Sequence, residues 1–305
     1  MKAQLEQQLG STLQGRLCFD ESMARYTSWA VGGPADVLYR PQDVDDLGRF
    51  ISVLPEGVDV HWVGLGSNLL VRDAGVRGVV VLLKATMQTM NHLGNGIVEA
   101  GAGVTCTKLA RQVADWGYAD SAFFAGIPGT LGGALAMNAG AHGGETWQQV
   151  EAVQLMRRDG SVAWSTPDEW DIGYRHAQKL AANDDYWFVG ARLKFAEGDA
   201  EASMAAIREL QAHRAATQPL DQRSCGSVFR NPTGDHSARL IESCGLKGLR
   251  RGGAEVSRKH ANFIVNADSA SAADIEALIN HVKDTVGSEC GVDLHPEVRI
   301  IGEAA

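Results

Sequence analysis

Apolar residues recur along this chain with two periods. From Asp43 onward they fall at Val44, Leu47, Phe50, Ile51 and Leu54, one face of a helix, with Asp43 placed to cap it. The same spacing predicts helices over 106–116, stopped by Gly117, and over 201–216, with Met204, Ile207 and Leu210 on one face. It also predicts them over 237–243, closed by Gly245, and over 272–286, with Ile275, Leu278, Ile279 and Val282 inward. Residues 3–14 read as a helix or a loose polar lead, weakened by Gly10. Short apolar runs predict strands at 36–39 (ended by Pro41), 58–63, 79–83, 97–100, 150–157, 162–164, 187–195, 262–266 and 295–301. Gly94-Asn95-Gly96 reads as the turn between 79–83 and 97–100, and Asp159-Gly160 as a hairpin turn. Strands and helices mix without strict alternation, the pattern of an α+β protein. Glu197-Gly198-Asp199 reads as a linker.

Composition narrows the class. A chain of 305 residues suggests two domains or one large one, and 45% apolar with 21% charged residues is close to the globular average. A formal charge of −9 argues against a nucleic-acid backbone as partner. Arg250-Arg251 and Arg258-Lys259-His260 suit a solvated face or a small anionic ligand. Five scattered cysteines, with no metal-ligand spacing, imply reduced thiols, a cytoplasmic location and no metal centre. The polar first ten residues have no signal-like apolar segment, and no apolar run reaches membrane-spanning length. No membrane and no obligatory protein partner is expected.

Glycine changes the picture. Phe124-Ala125-Gly126-Ile127-Pro128-Gly129-Thr130-Leu131-Gly132-Gly133-Ala134 leads to Asn138-Ala139-Gly140-Ala141-His142-Gly143-Gly144. Such a run offers bare backbone, and amides in tight turns form nests for anionic oxygens. Opening a short helix at Thr130, it suits a diphosphate, although a tight structural crossing would use the same residues. It is neither a Walker loop nor a Rossmann fingerprint. A second turn, Gly64-Leu65-Gly66-Ser67-Asn68, follows the strand at 58–63; as a plain turn it needs no further explanation.

Three further places carry chemistry-bearing side chains. Arg175, in Gly173-Tyr174-Arg175-His176 between a hairpin and a strand, offers a planar fork for a carboxylate or phosphate, or a surface ion pair. Ser227, in Cys225-Gly226-Ser227-Val228-Phe229-Arg230-Asn231-Pro232, follows a glycine but lacks the Gly-x-Ser-x-Gly pattern of a nucleophile elbow, and a turn serine fits equally. Glu297 starts the last predicted strand and alone reads as a surface charge.

Together these pieces resemble one family. The long glycine stretch and 63–73 look like the FAD-binding domain of the vanillyl-alcohol-oxidase (PCMH) type. The combination of 26–36, 126–144, Tyr174-Arg175, 226–232, 252–266 and 296–299 resembles the UDP-N-acetylenolpyruvoylglucosamine reductase family, over nearly the whole chain. The resemblance implies an N-terminal lead at 1–20, a two-subdomain FAD-binding domain at 21–197 and a C-terminal α+β substrate domain at 198–305. It implies non-covalent FAD, cradled by Gly64, Leu65, Gly66, Ser67, Asn68, Gly126, Ile127, Gly129, Thr130, Gly132 and Gly133, with Asn138 and Gly140 along the flavin and Arg214 in contact with it.

The reaction implied is reduction of UDP-N-acetylglucosamine-enolpyruvate to UDP-N-acetylmuramate, a peptidoglycan precursor, with NADPH as electron donor. Hydride reaches the β-carbon of the enol ether, and Ser227 delivers a proton to the α-carbon. Arg175 and Glu297 stabilise the enolate between; Glu297 can do so only as the protonated acid, which requires burial and a nearby carboxylate to raise its pKa. Tyr174, Arg230, Asn231, His260 and Asn262 are implied to meet substrate. Where members commonly carry Tyr-Arg-x-Ser this chain has Ala177, so one hydrogen bond that could orient Arg175 is missing. The short interval between Arg175 and Ser227 places it with the branch that lacks a long tyrosine-bearing substrate loop. Another FAD oxidase or dehydrogenase of the same fold, or a flavin-binding module without turnover, is the alternative.

Overall fold

A computed structural model describes residues 2–8, 12–181 and 185–304. The chain forms two compact units that interleave along the sequence: Met1–Phe19, Val37–Gly64 and Val79–His213 make the first, and Asp20–Asp36, Leu65–Gly78 and Arg214–Ala305 the second.

The first unit is built on a five-stranded antiparallel sheet in the order Val162–Ser165, Val150–Arg157, Tyr186–Lys194, Ile97–Gly101, Met90–Gly94. Helix Cys106–Asp115 turns Cys106, Leu109, Ala110 and Val113 into a core shared with Val98, Val153, Leu155, Ala191 and Leu193 of that sheet. Thr105 caps this helix by accepting the Lys108 amide. A second core forms where Leu47, Phe50 and Ile51 of helix Val44–Ser52 meet Val79 and Val81, whose strand runs parallel to Val60–Val63. As its residue types predict, that helix begins at an Asp43 cap, whose carboxylate accepts the Asp46 amide.

The second unit centres on helix Ala272–Cys290. Its inward residues Ile275, Leu278, Ile279, Val282 and Val286 pack with Val256 and Ile264 of a small sheet, in strand order Arg223–Ser224, Ile264–Asn266, Ala254–Val256, Arg250–Arg251. Trp29 is fully buried in this core and donates its indole N–H to Ile264 O at 2.7 Å. The helix N-terminus is satisfied twice. Ser271 and Asp274 exchange side-chain bonds in a capping box, and Asp73 accepts the amides of Ala272 and Ala273. Ser271→Ala is therefore expected to lower unfolding stability by about 1 kcal/mol, read as a fall in the urea midpoint at unchanged m-value.

Several boundaries differ from the sequence expectation. The last helix runs on to Cys290 and is closed by Gly291 in the left-handed conformation. The strand expected at 262–266 begins at Ile264, and that expected at 295–301 is Arg299–Ile301, with Glu297 ahead of it. Gly94-Asn95-Gly96 turns between Met90–Gly94 and Ile97–Gly101, not between the earlier predicted pair. At the N-terminus a helix spans Lys2–Gln8; residues 9–11 of the predicted 3–14 segment lie outside the described residues. Among the described residues no helix is long and apolar enough to cross a membrane.

Candidate functional site

In the first unit the long glycine stretch runs beside 102–106, where Thr130 bridges Thr105, and opens helix Leu131–Ala136, with Thr130 as N-cap. Cys106 N–H donates to Gly129 O, Leu131 N–H to Val104 O and Gly132 N–H to Ala102 O. These bonds pin the loop's backbone, while the amides of Thr130 and Gly133 make no bond of this kind among the described residues. A Cβ added at Gly133 would find only Thr130 Oγ1 within 4 Å, at 3.8 Å, so bare backbone faces open space there. At Gly64, by contrast, a Cβ would collide with Thr130 Oγ1, which is why the turn after strand Val60–Val63 needs glycine beside this loop. Pinned loop, uncommitted amides and open space together fit the anionic oxygens of a diphosphate.

Beyond the helix, Asn138 and Gly140 lead into a small hairpin in which Gly140 pairs with Glu145 and Ala141 with Gly144. Asn138 is 1% exposed and all its bonding is internal: its Oδ1 accepts Trp147 N–H, and its Nδ2 donates to Glu145 Oε2 and Gly173 O. Arg175 lies, as expected, between the hairpin of Val150–Arg157 with Val162–Ser165 and strand Tyr186–Lys194, but on a further ribbon that the sequence did not reveal. It is the second residue of the two-residue turn of its own ribbon, Trp170–Gly173 paired with His176–Lys179. Its φ of +54° is one that residues with a Cβ seldom adopt. Its guanidinium donates from Nη2 to Gly140 O at 3.2 Å and lies 5.0 Å from the centre of the exposed Tyr174 ring. Ala177 packs against the hydrophobic core.

In the second unit two short pairings bring distant residues together. Strand Leu69–Val71 runs parallel to Arg299–Ile301 in the register Leu69↔Arg299, so the residues just before each strand are neighbours. Asn68 Nδ2 accordingly donates to Glu297 O at 3.0 Å, and Arg299 N–H to Asn68 O. The Ser227 segment runs alongside 295–298: Glu297 N–H donates to Val228 O at 2.7 Å, Arg230 N–H to His295 O, and Phe229 bridges Pro296. From its other side Asn262 holds the same segment, its O accepting Val228 N–H and its carboxamide bonding both the N–H and the O of Phe229. Gly226 enters with a φ of +73°, and the half-buried Ser227 hydroxyl is committed to no partner among the described residues. Neighbouring Cys225 is buried near Leu69 O, and burial pushes its thiol up to about 12, so it stays protonated beside the serine.

The flanking residues differ in what they leave available. Arg230 keeps a buried Nε with no partner among the described residues, a donor suited to an anionic group. Asn231 is exposed, and its Oδ1 accepts the Ser237 amide. The Leu65-Gly66-Ser67 turn is folded back on Tyr26-Thr27-Ser28: Ser28 N–H donates to Gly66 O, and a Cβ on Gly66 would strike Tyr26 O. Arg214 Nε donates to Gln218, and burial lowers the pKa of its guanidinium.

His260 is held low by burial, reinforced by Lys247 and opposed by Glu242. Its Nδ1 accepts the Asn262 amide, so the neutral ring presents Nε2–H as a donor. Below its ordinary value of 6.5 the unfolded chain binds this proton more readily than the folded one. The stability it contributes is therefore present above that pH and lost as pH falls through it. The urea midpoint is expected to drop between pH 8 and pH 5.5, and to drop less in His260→Gln.

Sequence reasoning missed Glu145, which anchors Asn138 and caps Thr146–Gln149 through a capping box with Gln148. The Glu145…Gln148 spacing was the available signal. It also missed that Asn138 and Asn262, read as ligand contacts, engage their carboxamides inside the protein.

The fold and the pinned glycine loop define the class first. Residues 35–166 match the family model described as an FAD binding domain, and residues 218–301 that of the UDP-N-acetylenolpyruvoylglucosamine reductase C-terminal domain. The chain is 53% identical over 284 residues to the UDP-N-acetylenolpyruvoylglucosamine reductase of Methylococcus capsulatus, covering 93% of this chain and 92% of the relative. It is 50% identical over 292 residues to that of Legionella pneumophila strain Paris, covering 95% of each. The crystal structure of the Thermus caldophilus reductase matches with a TM-score of 0.79 and 33% identity, over 94% of this chain and 99% of that one. The chain belongs to the UDP-N-acetylenolpyruvoylglucosamine reductase family.

Proposed function

We propose that this protein reduces UDP-N-acetylglucosamine-enolpyruvate to UDP-N-acetylmuramate with electrons from NADPH, using non-covalently bound FAD, in the cytoplasm. The observation that carries the reading is the uncommitted Ser227 hydroxyl on a segment bonded directly to that of Glu297. Bound FAD supplies the hydride, derived from NADPH, that adds to the β-carbon of the enol ether. Ser227 gives its proton to the α-carbon; serine is a very weak acid, but a carbanion-like centre is far more basic, so position matters more than acidity. Arg175 presents its fork to the charge that develops on the α-carbon's carboxylate, and Glu297 in its acid form donates a hydrogen bond to the same enolate. The glycine turns 64–68 and 126–133 hold the cofactor's diphosphate, with Gly140 and Arg214 as further contacts. Arg230, Asn231, Tyr174 and His260 meet the substrate, the orphaned Nε of Arg230 being suited to a phosphate oxygen. This reading takes 21–197 as the FAD-binding domain and 198–305 as the substrate domain, supported by the family models on 35–166 and 218–301.

The test is anaerobic. NADPH should bleach the 450-nm band of the bound flavin, and adding the enolpyruvyl UDP-sugar should restore it without oxygen. Colour that returns only on admitting air would leave the flavoprotein reading standing and remove the substrate.

A further inference from the structure

We propose that Asn138 is a positioning residue for Arg175: its carboxamide fixes the turn that carries the arginine and makes no contact with the cofactor. The inference rests on the reading of Arg175 given above. Both Nδ2 hydrogens of Asn138 have partners, Glu145 Oε2 and Gly173 O, each at 3.0 Å, and its Oδ1 takes Trp147 N–H at 3.1 Å. With the residue 1% exposed, no donor is left for a ligand.

What those bonds hold is specific. Gly173 is the last residue before the turn and pairs with His176, so only Tyr174 and Arg175 separate the clamped carbonyl from the returning strand. The φ of +54° at Arg175 costs free energy that its surroundings must supply. The segment that clamps Gly173 O also supplies Gly140 O, two residues beyond Asn138, to the Arg175 guanidinium. One short stretch therefore fixes both the backbone and the head group of the arginine. The ribbon adds the Tyr174 ring 5.0 Å from the guanidinium, while Ala177 has no polar group and packs on the core. The glycine-rich side thus supplies both the clamp on Gly173 O and the Gly140 O acceptor for Arg175. The clamp is anchored in turn, because Glu145 sits in a capping box with Gln148, and Trp147 donates its indole N–H to Leu135 O.

Asn138 has a φ of +41°, so Asn138→Gly keeps the backbone conformation and deletes all three bonds. Asn138→Asp keeps the acceptor for Trp147 N–H and replaces the donors with a carboxylate beside Glu145. The experiment is a double-mutant cycle with Arg175→Ala, read in single turnovers of NADPH-bleached enzyme mixed with the enolpyruvyl substrate. It is paired with hydrogen exchange of residues 170–179 in FAD-loaded and FAD-stripped protein. Asn138→Gly should slow flavin reoxidation at least tenfold in the wild-type background and less than twofold when Arg175 is already alanine. It should also speed exchange of 170–179 with and without FAD, while 150–157 is unchanged and FAD stoichiometry is retained. Equal slowing in both backgrounds would overturn the proposal, as would loss of FAD with unchanged exchange, since the carboxamide would then act on the cofactor. If Asn138→Gly does not fold, Asn138→Asp takes its place in the cycle with the same expectations. Should Arg175→Ala alone leave reoxidation untouched, the role given to Arg175 fails, and the exchange of 170–179 still decides whether Asn138 clamps the turn.

Discussion

Ser227→Ala should leave flavin reduction by NADPH at its wild-type rate and slow flavin reoxidation by the enolpyruvyl substrate by about 10²–10⁴-fold, the usual worth of a positioned proton donor. The substitution is clean because nothing else depends on the hydroxyl. The segment is held by backbone bonds at Val228, Phe229 and Arg230, and by the Asn262 carboxamide, none of which uses the Ser227 side chain. Alanine therefore removes one oxygen from an unchanged backbone. Buried Cys225 does not replace the hydroxyl as a donor because of its position: its thiol is turned inward onto Leu69 O. Stopped-flow absorbance at 450 nm separates the two half-reactions. Equal slowing of both would mean that the substitution disturbs the flavin's surroundings, and the proton would have to come from elsewhere.

The parts legible in the sequence are those whose signal is local. Helices Val44–Ser52 and Ala272–Cys290 announce themselves through periodic apolar residues and side-chain caps, because each buries one face against a core. The missed strands lack that signal for physical reasons. Met90–Gly94 is an edge strand with a mostly exposed, polar sequence, so no alternation marks it. Leu69–Val71 is three residues long and pairs with a strand 230 positions away, a partner no local window contains. That pairing sets Asn68 beside Glu297, so the sequence could nominate both but not join them. Trp170–Lys179 is a two-stranded ribbon with much of its surface in solvent, and it leaves no local mark because its turn, Tyr174-Arg175, has neither glycine nor asparagine. Side-chain commitment is a different limit. An asparagine serving a ligand and one serving a backbone carbonyl are the same letter. The bonds of Asn138 to Gly173 O and of Asn262 to Phe229 O, which show where these carboxamides are engaged, appear only in the structure.

Arg175→Ala should slow flavin reoxidation by about 10²–10³-fold, the range for removing one preorganised donor from a developing oxyanion, with flavin reduction by NADPH within twofold of wild type. The loss should fall mainly on kcat, with a smaller change in the KM for the enolpyruvyl substrate, because the carboxylate is already charged on binding but gains further negative charge only as hydride adds. Arg175→Lys sharpens the point. Lysine keeps the positive charge, and as an L-residue meets the same strain at φ +54°, but it has no planar fork to divide between Gly140 O and a carboxylate. If geometry carries the effect, lysine should recover less than a tenth of the lost rate; if charge alone does, it should recover most of it. A raised KM at unchanged kcat would make Arg175 a ground-state binder of the substrate carboxylate. Glu297 would then be left as the group assigned to the enolate, and Glu297→Gln, which keeps an N–H donor without needing a proton, should retain more activity than Glu297→Ala.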